Sequence, residues 1–160
     1  MKLTLIAAVT AGLLAGAAAA QDHSAHPAHH SFVPPGQVKW GAGPASLPPG
    51  AQASVLYGDP AKEGPFSLRL KLPAGYRIAP HTHPKPEMVT VISGMFNVGM
   101  GANANRAAAR ALGAGGFVGM DPGMQHYAFI DRPTEIQLNS TGPWSISYVN
   151  PADDPRRLSK

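Results

Sequence analysis

The chain has 160 residues, no cysteine, 18 glycines, 17 prolines and a formal charge of +4. Without thiols it has no disulfide, no thiolate ligand and no cysteine nucleophile. Its positive charges are scattered over Lys39, Lys62, Arg69, Lys71, Arg77 and Lys85 with few aromatics between them, which argues against a nucleic-acid partner.

Residues 1–20 read as a signal peptide: Lys2, an apolar run from Leu3 to Leu14, then the small-residue pattern Ala18-Ala19-Ala20. The run is too short and alanine-rich for a membrane span, and no cysteine follows it to carry a lipid. The expectation is therefore an exported protein, periplasmic or secreted, with no membrane contact after cleavage. Removing the segment leaves 140 residues at a formal charge of +3, enough for one domain with its own core.

Residues 21–37 read as a disordered, histidine-rich tail, polar and proline-broken with no period. If cleavage frees the amine of Gln21, then Gln21-Asp22-His23 offers a square-planar set for Cu(II) or Ni(II), with His26, His29 and His30 as secondary donors. The plainer reading is a solvated linker. The folded domain is placed at 38–150 and a C-terminal tail at 151–160.

Within the domain the pattern changes to short apolar runs bounded by Gly and Pro. The clearest strand is Phe66–Leu72, where Phe66, Leu68, Leu70 and Leu72 alternate with Ser67, Arg69 and Lys71. One buried and one wet face is the mark of an antiparallel sheet. Further strands are expected at Ala53–Tyr57, Arg77–His81, Glu87–Ser93, Phe96–Met100, Gly116–Met120, His126–Ile130, Thr134–Asn139 and Trp144–Val149. Asn105–Leu112 alone has helical composition and is expected to form at most one exposed turn. Short strands at this spacing indicate an all-β sandwich or barrel.

Gly75-Tyr-Arg-Ile-Ala-Pro-His81-Thr-His83-Pro-Lys-Pro-Glu87, closed by Gly94, carries the chemistry. Strand residues i and i+2 share a face, so His81 and His83 point together. Pro84 and Pro86 make a turn, and Glu87 opens the strand that folds back. Asp121-Pro122-Gly123 then turns the chain into His126. Three imidazoles and a carboxylate suit one divalent first-row ion (Mn, Fe, Co, Ni, Cu or Zn) without choosing among them. The histidine distribution agrees: of seven, four lie in the tail and the other three fall at these positions.

This pattern resembles the first motif of the cupins at each specified position, and Gly115, Gly123 and His126 match the second. Asp121 stands where that motif has proline, and Ile130 where it often has asparagine. The resemblance implies an all-β, antiparallel jelly-roll β-barrel with His81, His83, Glu87 and His126 as metal ligands. It also implies a small-molecule ligand or substrate and a possible homodimer. Phe66, Leu68, Leu70, Val89, Val91 and Ala128 would share the inner face with the ligands. Tyr76, Arg77, Gln125, Tyr127 and Gln137 are the polar or amphipathic residues near the motifs. Asp121 reads as a turn residue, and Trp144, Ile146 and Tyr148 as a face that closes the barrel or covers a dimer surface.

Three functions fit. The first is a metal-dependent enzyme of oxidoreductase (dioxygenase- or oxidase-like), decarboxylase or isomerase type, acting on a small oxygen-rich molecule, with Glu87 as the candidate catalytic base. The second is a non-catalytic metal- or ligand-binding protein. The third is copper or nickel handling led by the N-terminal histidines.

Overall fold

The computed structural model describes residues 30–157, so the expected signal peptide, most of the histidine tail and residues 158–160 lie outside the described residues. Eleven strands follow in chain order: β1 (Gly41–Ala42), β2 (Gln52–Tyr57), β3 (Gly64–Leu72), β4 (Arg77–Thr82), β5 (Glu87–Ser93), β6 (Met95–Met100), β7 (Arg110–Gly113), β8 (Phe117–Met120), β9 (His126–Phe129), β10 (Thr134–Gly142) and β11 (Ser147–Tyr148). The helical elements among the described residues are three-residue 3-10 turns, and no helix among them is long and apolar enough to cross a membrane. The unit Ser31–Lys160 holds all eleven strands.

The strands form two antiparallel sheets, β1-β2-β3-β10-β5-β8 and β11-β4-β9-β6-β7. The longest ladder joins β3 to β10 over nine pairs, from Thr134 opposite Leu72 to Gly142 opposite Gly64. It keeps the β3 alternation in phase with that of β10, so Phe66, Leu68, Leu70 and Leu72 lie buried beside Ile136 and Leu138. Across the sandwich, Ile78, Phe96, Val98 and Ala128 close the core from the second sheet. Gly94 makes the turn between β5 and β6 at φ +85°, and a Cβ there would sit 2.4 Å from the Pro133 carbonyl oxygen.

Two expected segments differ in extent. Asn105–Leu112 holds the one exposed turn expected there, a 3-10 turn over Arg106–Ala108 capped by the Asn105 side chain, and its remainder, Arg110–Gly113, is strand β7. Pairing with Met95–Val98 of β6 overrides the alanine-rich helix preference there. Of Trp144–Val149 only Ser147–Tyr148 is strand, and Trp144 sits in the loop before it, its backbone N–H donating to Pro60 O at 2.8 Å. Residues 151–157, which read as the start of a tail, form two 3-10 turns, and Arg156 Nη2 donates to Ile146 O at 3.1 Å.

Candidate metal centre

His81 lies at the end of β4, opposite His126 at the start of β9, and this register puts both imidazoles on the inner face. His83 follows just beyond β4, and its carbonyl accepts the Gly123 N–H at 2.9 Å. That bond ties the proline turn of the first motif to the Asp-Pro-Gly turn of the second. Glu87 opens β5 in the other sheet and faces the three histidines across the barrel. All four side chains are buried.

The rings lie close together, with centroids 4.2 Å apart for His81 and His126, 4.9 Å for His81 and His83, and 5.2 Å for His83 and His126. Their ligand atoms fall within 4.8 Å of one another. Each Nδ1 faces a backbone carbonyl: His81 that of Ala79 at 2.7 Å, His83 that of Ser145 at 2.8 Å, His126 that of Met124 at 2.9 Å. A carbonyl only accepts, so each Nδ1 carries the proton and donates it. In the neutral imidazole this leaves an Nε2 lone pair, the arrangement that outer hydrogen bonds impose on metal-binding histidines. His83 Nε2 is buried with no hydrogen-bond partner. Such an orphan is uncommon in a folded protein, and a metal ion in this pocket would satisfy it. The His81–His83–His126 group could therefore hold a metal ion.

Charge is balanced locally. Glu87 Oε2 lies 3.0 Å from His126 Nε2 and 3.4 Å from His83 Nε2. Burial alone would raise the Glu87 carboxyl, but the His126 hydrogen bond and the charges of His83, His126 and His81 outweigh it and hold it below its ordinary value. Burial pushes His126 down, and the Glu87 hydrogen bond and charge reverse this and raise it. Burial lowers His83, and burial with the His126 charge takes His81 down to about 3.

Beside the cluster opens a cavity of about 390 Å³. All six residues expected on the inner face are buried; Leu68, Leu70 and Ala128 line the cavity, and Phe66, Val89 and Val91 are core away from it. None of Tyr76, Arg77, Gln125, Tyr127 and Gln137 reaches it. Tyr76 OH donates to Pro48 O, Tyr127 OH to Asn105 O, and Gln137 accepts from Arg69. Asp121 is exposed and in its turn accepts the Met124 N–H at its carbonyl, 3.2 Å away.

The sequence reading missed the role of Trp144. Its indole stacks on the His83 ring, centroids 4.0 Å apart and planes 16° apart, and forms part of the cavity wall. Ile146 also lines the cavity, and Tyr148 packs against His81 with its OH donating to Ser46 O at 2.8 Å. Burial, with the Asp154 charge nearby, pushes the Tyr148 hydroxyl up to about 12, so it remains a donor. These contacts agree with the reading of this face as one that closes the barrel.

No protein-family model matches the sequence, and no curated protein matches it. Solved structures do match. A candidate acetylacetone dioxygenase from Methylibium petroleiphilum superposes with a TM-score of 0.63 at 22% identity, over 82% of this chain and 88% of that one. The polyketide cyclase RemF from Streptomyces resistomycificus gives 0.61 at 14%, over 82% and 93%. An RmlC-like cupin from Shewanella frigidimarina gives 0.55 at 14%, over 71% and 91%. The chain has the cupin fold. In this cupin barrel the second-motif departures at Asp121 and Ile130 leave the cluster intact: Asp121 is in an exposed turn, and Ile130 is core.

Proposed function

We propose that this cupin is an exported, metal-dependent enzyme. One divalent first-row transition-metal ion would sit on His81, His83, Glu87 and His126, and a small molecule would bind in the adjoining cavity. The observation that carries this reading is the set of three buried imidazoles with every Nδ1–H committed to a carbonyl and the His83 Nε2, 3.4 Å from Glu87, left without a hydrogen bond. The neighbouring folds include a candidate dioxygenase and a cyclase, which supports chemistry on small organic molecules.

A bound ion would supply Lewis acidity and, through coordinated water, a nucleophile near neutral pH. The rest falls to the chain's own groups. Among the described residues Glu87 is the only carboxylate on the cavity wall, so it is both the candidate fourth ligand and the candidate proton acceptor. Trp144 and the aliphatic residues surround the reacting end with apolar surface, a low-dielectric setting that strengthens each polar contact there. Export rests on residues 1–20 and is checked by N-terminal sequencing, which should begin at Gln21.

The enzymatic reading is tested by incubating metal-loaded protein with a small-molecule extract and following each constituent by mass spectrometry. Consumption of a constituent that stops on chelation and returns with metal is expected. If metal-loaded protein transforms nothing, the second reading, binding without turnover, takes its place. The scarcity of acid–base groups on the cavity wall is the observation that favours that alternative.

A further inference from the structure

Building on the metal-site reading, we infer that the cavity selects an uncharged molecule with a hydrocarbon body and its oxygen donors confined to one end, the end that meets His81, His83 and His126. The wall carries this inference. Among the described residues, no charged residue apart from the three histidines and Glu87 lines the cavity, and the only polar residues that do are Ser46 and Ser145. The backbone carbonyls of both are already engaged, Ser46 by Tyr148 OH and Ser145 by His83 Nδ1–H. The rest is aliphatic or aromatic, with Leu68, Phe96, Ile136 and Leu138 facing the space.

The cations of the neighbouring strand turn away from this space. Arg69 pairs with Glu135 at 3.2 Å and Lys71 lies over the Trp40 ring at 4.1 Å, and neither lines the cavity. A carboxylate or phosphate on the ligand's body would thus be buried without a counter-charge. Each hydroxyl on that body beyond reach of Ser46 and Ser145 would lose its water for an apolar wall, a penalty of roughly tenfold or more in affinity per group. This narrows the oxygen-rich ligand expected from the sequence to one whose oxygens stand together at the metal end. A volume of about 390 Å³ lies in the range of small-ligand pockets. Val55 of β2 lines the cavity yet is 50% exposed, which marks it as a residue of the mouth.

The test holds the metal-binding head constant and varies the tail. Protein loaded with Co(II) is titrated with acetohydroxamate, benzohydroxamate and succinic monohydroxamate, and its Co(II) content is measured in the same samples. Benzohydroxamate is expected to bind about ten- to thirtyfold tighter than acetohydroxamate, from the extra apolar area buried. Succinic monohydroxamate should bind no tighter than acetohydroxamate. Val55→Lys, at a half-exposed position, should shrink the benzohydroxamate preference at least threefold. If the protein holds Co(II) but benzohydroxamate and acetohydroxamate agree within threefold, the inference falls and the metal reading stands. It falls in the same way if the anionic tail binds tightest or if Val55→Lys leaves the preference unchanged. A chain that takes up no Co(II) overturns both.

Discussion

His83 is held from three sides: its Nδ1–H by Ser145 O, its ring face by Trp144, and its own carbonyl by the Gly123 N–H. Losing an outer partner of a metal-binding histidine typically weakens affinity ten- to a hundredfold, because the ring gains freedom that binding must remove. Trp144→Ala is accordingly expected to weaken Zn(II) or Co(II) binding about tenfold in a chelator-competition titration, and Trp144→Phe to restore most of the loss. Equal affinities for wild type and the alanine variant would show that the stack does not position the ring. His81 makes a second prediction. Its folded value of about 3 lies below the ordinary 6.5, so between these the unfolded chain binds a proton that the folded metal-free chain refuses. Stability from this group is whole above about pH 6.5 and is lost as pH falls toward 3, with a slope of at most about 1.4 kcal/mol per pH unit. His83, also lowered, acts in the same direction. Urea midpoints of metal-free protein should drop across that window, and His81→Gln should flatten the drop. A midpoint that holds steady there contradicts the assignment.

At the scale of the elements, β6 and β9 meet where Gly99 opposes Tyr127. A Cβ on Gly99 would lie 2.2 Å from the Tyr127 ring, which is itself fixed by its OH on Asn105 O at 3.0 Å. Gly99→Ala should therefore destabilise the fold by about 1–3 kcal/mol in urea unfolding, and a change under about 0.5 kcal/mol would mean that the ring has room to move. The same strands show what the sequence made legible. The alternation Phe66 to Leu72 set the inward face of β3, and the shared parity of His81 and His83 set two of the donors, since side-chain direction in a strand follows from residue number alone. Strand β7 was hidden because Arg110-Ala-Leu-Gly113 follows directly on the alanine-rich Arg106–Ala109, whose local helix preference runs into it, and its strand state comes from pairing with β6. Trp144, Ser145 and Ser46 were hidden for a related reason: they lie in loops, where no period predicts which way a side chain turns.

Over the whole molecule, the site exists because two sheets bring distant segments to one end of the barrel. The second sheet carries His81 and His126 opposite one another, with His83 just beyond, and the first carries Glu87. The motif spacing supplied the ligand candidates, but the apolar cavity beside them depends on β1, β2 and the loop before β11, whose place follows from the packed barrel and not from any local pattern. The measurement that bears most directly on the metal centre is elemental analysis of natively purified protein beside His126→Ala. One equivalent of a first-row transition metal in wild type, with most of it lost in the variant, is the predicted result. A full equivalent retained by His126→Ala would contradict the assignment of this site, and so would wild-type protein that stays metal-free when metals are supplied.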